Sequence, residues 1–193
     1  MLSGRRLDLL DPSPLDIEIE DIAHGLARVA RWNGQTGGRH IFSVAQHSVL
    51  VERLVGALMP EAPQRWRLAA LLHDAPEYVI GDIISPFKTV LGESYKAVEA
   101  RILSAVLLRF SLPAAPSPAL SKLVKRADRM AAFIEATRLA GFSHAEAERF
   151  FERPAVALAD IDDLIDPIAS DEAEQRFLAR FRRLETMPDG DPT

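Results

Sequence analysis

The segment Leu68-Ala69-Ala70-Leu71-Leu72-His73-Asp74-Ala75-Pro76-Glu77 is an apolar run that ends in a His, an Asp and a Glu. Such a run belongs in a core, where ionisable groups are costly unless they are paired or bound to a cation. His73 beside Asp74 suggests a divalent-metal site, with Glu77 close enough to act on a metal-bound water. Two further residues interrupt apolar patterns in the same way. His47 shares a face with Val44, Leu50, Val51, Leu54 and Leu58, and Asp128 is embedded among Leu123, Val124, Ala127, Met130, Ala131 and Ile134. With Cys 0, thiolate ligands and disulfides are excluded, so His, Asp and Glu must hold any metal. His47, His73, Asp74 and Asp128 together offer nitrogen and oxygen ligands suited to one divalent ion, Zn, Mn, Co, Fe or Mg, with room for water and substrate. Alone, His47 reads more readily as a hydrogen-bonded core histidine than as a ligand; the full set favours ligation.

These positions can converge only through tertiary folding, so the elements that carry them matter. Residues 1–20 hold Pro12 and Pro14 and read as an extended lead-in, with alternation over Asp16 to Ile19 that fits a short strand. Glu20 or Asp21 caps a helix through Ile22, Leu26 and Val29 that should end near Asn33-Gly34. The glycine-rich segment from Gly34 to Arg39 is a loop. Ser43 opens the His47 helix, and Met59-Pro60 closes it. A third helix begins near Gln64 and delivers His73-Asp74, with Pro76 and Gly81 marking its irregular end. A fourth runs from about Glu93 to Phe110, and a fifth follows the proline-rich break at 112–118 and carries Asp128 until Gly141 stops it. Ser143 with Glu146 forms a capping-box pattern for a short helix to Phe151. Asp160 to Asp166 fits a helical turn, Asp171 to Leu184 a last amphipathic helix, and Pro188 to Thr193 a flexible tail.

The elements read as successive helices in a single domain: a lead-in over 1–20, a motif-bearing core over about 22–140 and C-terminal helices over 143–185. A chain of 193 residues that is 48% apolar can build a core without a metal or disulfides. No apolar run reaches membrane-spanning length and the first residues lack a signal-peptide pattern, which points to the cytoplasm and to no membrane association. A net charge of -5 argues against dedicated nucleic-acid binding but permits a local pocket for a small phosphorylated ligand.

In order and approximate spacing, His47, His73-Asp74 and Asp128 resemble the H...HD...D signature of the HD-domain metal-dependent phosphohydrolases. Arg31-Trp32, Gln46-His47-Ser48, His73-Asp74-Ala75-Pro76-Glu77 and the segment Gly81 to Lys88 are similar to the bacterial 5'-deoxynucleotidase branch of that family. The resemblance implies an all-α fold, a single helical bundle, and hydrolysis of a nucleotide phosphoester, most simply of a deoxynucleoside 5'-monophosphate. By position it makes His47, His73, Asp74 and Asp128 the ligands of one divalent metal and Glu77 the residue that positions or deprotonates water. It makes Arg31 a phosphate clamp, Lys88 a second phosphate contact, and Trp32 and Asp82 sugar contacts, Asp82 accepting from a hydroxyl and Trp32 excluding a 2'-hydroxyl. Simpler readings stand beside these: Arg31 in a surface ion pair, Trp32 in the core, Asp82 as a turn residue, Glu77 as a helix-end solubiliser, and Glu135 either supporting the site or exposed. The Gly34 to His40 loop is similar to a branch that includes dATP triphosphohydrolases, which would give His40 a leaving diphosphate to contact. A deoxynucleoside triphosphate triphosphohydrolase and a catalytically silent nucleotide-binding protein are thus the alternatives, and a homodimer is compatible with the resemblance.

Overall fold

The computed structural model describes residues 1–186, so the segment from Pro188 to Thr193 lies outside the described residues. Among them the chain forms α1 (Ile19–Leu26), α2 (Val44–Leu58), α3 (Gln64–Leu71), α4 (Glu77–Ile80), α5 (Ser85–Arg109), α6 (Pro118–Arg138), α7 (His144–Ala147), α8 (Ile161–Ile165) and α9 (Ser170–Thr186). No strand occurs among them, only an isolated bridge between Ala30 and Ser43. The all-α expectation holds, and no described helix is long and apolar enough to cross a membrane.

α2 lies at the centre. It is buried on nearly every side, from Val44 to Val55, and packs against α1, α3, α6, α8 and α9. Its start is set by Ser43, whose hydroxyl accepts from the Gln46 N–H and satisfies one of the amides that the first turn leaves unpaired. Ser117 caps α6 in the same way, and Ser143 and Glu146 complete a reciprocal capping box at α7. Glu52, fully buried on α2, accepts two hydrogen bonds from Arg180 of α9 at 2.6 and 2.8 Å and pairs with Arg67 of α3 at 2.6 Å. This paired charge ties three helices together without an orphaned ion in the core.

Four boundaries differ from the sequence expectation. The alternating stretch at 16–19 is not a strand: a 3-10 turn covers Pro14–Asp16 and α1 starts at Ile19. α1 stops at Leu26, and Arg31–Gly34 is a separate 3-10 turn in which Trp32 and Asn33 take left-handed φ of 56° and 51°. The fourth helix begins earlier, at Ser85 with Pro86 in its first turn, and bends at Gly92, whose φ of 72° with ψ of −156° is a conformation only glycine adopts readily. α7 spans only His144–Ala147, after which Phe150 and Phe151 close turns onto Ala147.

Candidate metal centre

The three helices that carry polar interruptions bring them to one point. His47 comes from the first turn of α2, His73 and Asp74 from the turn that follows α3, and Asp128 from the middle of α6. One ligand atom each from His47, His73 and Asp128 fall within 4.8 Å of one another. Asp74 Oδ2 joins them at 3.4 Å from His47 Nε2 and 3.2 Å from His73 Nε2, and Asp128 Oδ1 stands 3.3 Å from His47 Nε2.

The outer nitrogens of both rings are already engaged. His73 Nδ1 lies 2.8 Å from the Ala70 carbonyl, which can only accept, so this nitrogen carries the proton and Nε2 carries the lone pair. His47 Nδ1 lies 2.5 Å from Glu135 Oε1. The Nε2 atoms of both histidines are buried and make no hydrogen bond. Two carboxylates and two inward-facing imidazole nitrogens thus converge where mutual repulsion disfavours them unless positive charge lies between. A ring nitrogen aimed inward with its partner nitrogen held by a carboxylate or carbonyl is the arrangement of metal-ligating histidines. The residues present therefore fit a divalent cation.

The electrostatics follow from the same crowding. Burial and the Arg31 charge oppose protonation of His47, yet Glu135, Asp128 and Asp74 around it raise its pKa well above the usual imidazole range. Burial disfavours charge on Asp74, but His73 and His47 hold it well below the usual carboxylate range; Asp128 is lowered too, against its own burial, chiefly by His47.

Glu135 is the residue whose role sequence reasoning left open, and it is fully buried. Besides His47 it accepts from Trp32 Nε1 at 2.8 Å and from Arg31 Nε at 3.3 Å. Despite complete burial, His47 and Arg31 bring its pKa to about 2. It lies two helical turns beyond Asp128, at i+7 on the same face of α6, and that spacing was the available signal.

The remaining expected site residues surround this centre. Arg31 is not a surface residue: its Nη1 bonds Asp82 Oδ2 at 3.0 Å while Nε bonds Glu135, and the surrounding carboxylates raise its pKa against the cost of burial. The indole of Trp32 packs on Phe142 and Phe151, with ring centroids at 5.8 and 5.7 Å, in a small satellite core. Left-handed backbone at a tryptophan is strained, and the bond from its Nε1 to Glu135 holds it in place. Glu77 is only 2% exposed. Burial, Asp74 and Asp82 push its carboxyl up to about 9 despite Lys88 and Arg31 nearby. Lys88 Nζ lies 3.4 Å from Glu77 Oε1 and 2.9 Å from Glu99 Oε1, and these carboxylates raise its pKa against burial. His24 instead pairs with Glu174, His144 stacks on Phe133, and His40 is exposed in the 34–40 loop.

The HD domain profile matches residues 37–132, a span that contains all four candidate ligands. A protein of Rhodobacter capsulatus of uncharacterised function is 59% identical over 154 residues, covering 80% of this chain and 79% of its own length. The uncharacterised YfdR protein of Escherichia coli K12 is 39% identical over 113 residues, 58% of this chain and 56% of its own length.

Proposed function

The chain belongs to the HD-domain family, and on that premise we propose that it is a metal-dependent phosphohydrolase that converts deoxynucleoside 5'-monophosphates to deoxynucleosides and orthophosphate. The observation that supports this most is the convergence of His47, His73, Asp74 and Asp128 on one point with both buried Nε2 atoms unpartnered. A divalent cation held by these four side chains would supply a Lewis acid for the phosphoryl oxygens and would lower the pKa of water from about 15.7 toward neutrality.

The protein's own groups then have distinct tasks. Arg31, fixed by Asp82 and Glu135 through Nη1 and Nε, presents the rest of its guanidinium to phosphate oxygens, a match of planar fork to tetrahedral anion. Lys88, held between Glu77 and Glu99, adds a second positive charge on the same side. In the reaction a water oxygen bonds to phosphorus, the bond from phosphorus to O5' breaks, and the departing oxygen takes up a proton. Glu77 is the proton carrier: its carboxyl is buried, and its Oε2 makes no hydrogen bond. A carboxyl shifted toward the working pH exchanges protons with reacting oxygens more effectively than an ordinary one. Asp82 accepts from the sugar hydroxyl, and Trp32, locked by Glu135, excludes a 2'-hydroxyl.

A panel of deoxy- and ribonucleotides assayed with Mn, Co, Zn and Mg, with the released phosphate product resolved, tests the reading. Orthophosphate from deoxynucleoside monophosphates is the expected result. Triphosphate released from deoxynucleoside triphosphates would replace it with the triphosphohydrolase reading, and binding without turnover under every metal would leave a silent nucleotide-binding protein.

A further inference from the structure

Beside the candidate metal centre, α3, α5 and α6 enclose a cavity of about 260 Å³. Its wall includes His73 and Asp128, so it opens directly onto two of the four converging side chains. Asp128 is the most accessible of the four, with its side chain 40% exposed while that of His47 is fully covered. The cavity therefore borders the most accessible of the four candidate ligands.

Each helix presents one face to it. Ala69 comes from α3 and His73 from the turn that follows it, and Leu103 and Leu107 stand one turn apart on α5. On α6, Ser121, Val124, Lys125 and Asp128 follow one another at spacings that keep them on a single face. The wall is thus apolar wherever it is not part of the centre, except at Ser121 and Lys125, which are exposed at its mouth. Leu120, the lining residue farthest from Asp128 on α6, lies about 12 Å along the helix from it at 1.5 Å per residue. That length leaves room for one ring system beside the centre. The volume falls just under the ~300–1,000 Å³ of pockets for drug-sized ligands, which suits a single heterocycle and not a longer chain.

We propose that this slot is the binding site for the nucleobase of the phosphoester substrate, with the apolar side chains of α5 and α6 against its faces and Ser121 and Lys125 at its polar edge. The inference rests on the phosphohydrolase reading above and adds the site that selects the organic group.

Ser121→Trp and Lys125→Trp place a large ring in the mouth from exposed helix positions, and two variants guard against a folding defect in either. The first readout compares kcat/KM for a deoxynucleoside 5'-monophosphate with that for 2-deoxyribose 5-phosphate, which lacks the base. The second is saturation-transfer NMR of the corresponding deoxynucleoside on the metal-free protein. The wild type should favour the nucleotide and bind the deoxynucleoside. In both variants that preference should fall about tenfold or more, the scale of apolar discrimination in a pocket, and the NMR signal should vanish. An unchanged ratio with an unchanged signal overturns the proposal, as does a wild type with no preference and no deoxynucleoside binding. If the wild type turns over neither phosphoester with any cation, the phosphohydrolase reading fails, and the NMR comparison still decides the slot.

Discussion

Glu135 holds together two functions that side chains of different chemistry perform. One carboxylate oxygen meets His47 Nδ1 and the other takes the bonds from Arg31 Nε and Trp32 Nε1, so a single buried charge aims the candidate ligand and the candidate phosphate clamp. Glu135→Gln preserves shape but replaces one acceptor oxygen with an amide donor facing other donors. It should weaken cation binding about 10- to 100-fold, as loss of an orienting partner does at other metal sites. Isothermal titration with Mn or Co reads this directly, and unchanged affinity would remove Glu135 from the positioning of His47. Arg31→Ala makes the contrast. The four candidate ligands remain, so cation affinity should hold, whereas KM for the nucleotide should rise about 10- to 100-fold, the worth of one or two charge-assisted hydrogen bonds. Equal kinetics in this variant would reject the clamp.

At the scale of elements, the site depends on a short helix that periodicity could not reveal. α4 has too few residues for a repeating face, yet it carries Glu77 and packs on α1 through a close approach: a Cβ on Gly25 would stand 2.8 Å from Tyr78 Cβ and 2.9 Å from the Tyr78 carbonyl oxygen. Gly25→Ala must therefore push α4 away, at a cost of about 1–3 kcal/mol for overpacking. Because Tyr78 follows Glu77 directly, turnover should fall while cation affinity, set by α2, α3 and α6, stays near the wild-type value. Calorimetry alongside steady-state kinetics would show the split, and a parallel loss of both would mean that α4 also supports the metal centre. This pattern explains what could be read without coordinates. His47, His73, Asp74 and Asp128 stood out because each interrupts an apolar helical face, and Ser43 and Ser143 marked helix starts through local capping chemistry. Glu135 was left open between supporting the site and exposure, since an acid late in a helix also fits an exposed turn. The first part of α5 escaped because it exposes Phe87 and Val90 and so shows no consistent apolar face, although Ser85-Pro86 was a usable start signal. The left-handed Trp32 is held by its tertiary bond to Glu135, which local preference does not predict.

For the molecule as a whole, the candidate centre lies on a seam. Ala69, Leu72 and Ala75 belong to a hydrophobic core shared with α1, α5 and α9, while Ala70, Ala127, Met130 and Ala131 belong to a second core shared with α2 and α8. The HD turn follows directly on the alternation between the two in α3, and Asp128 sits beside Ala127 of the second. A cation held by His47, His73, Asp74 and Asp128 would join α2, α6 and the turn after α3 across that seam, in addition to relieving the crowding of their charges. In the unfolded chain these residues lie far apart in sequence and form no comparable site, so binding should stabilise the fold through mass action. At a free cation concentration of about 100 times Kd the gain is about 2.7 kcal/mol. For a chain of this length each kcal/mol raises Tm by about 2–4 °C, so Mn or Co should raise it by about 5–11 °C and a chelator should reverse the shift. Asp128→Ala should abolish the shift because it removes a ligand that is partly exposed, at little cost in packing to the cation-free fold. Scanning calorimetry of both proteins with and without cation decides the matter: an equal Tm rise in the variant would place the stabilising cation elsewhere, and no rise in either would mean that the four side chains do not bind it.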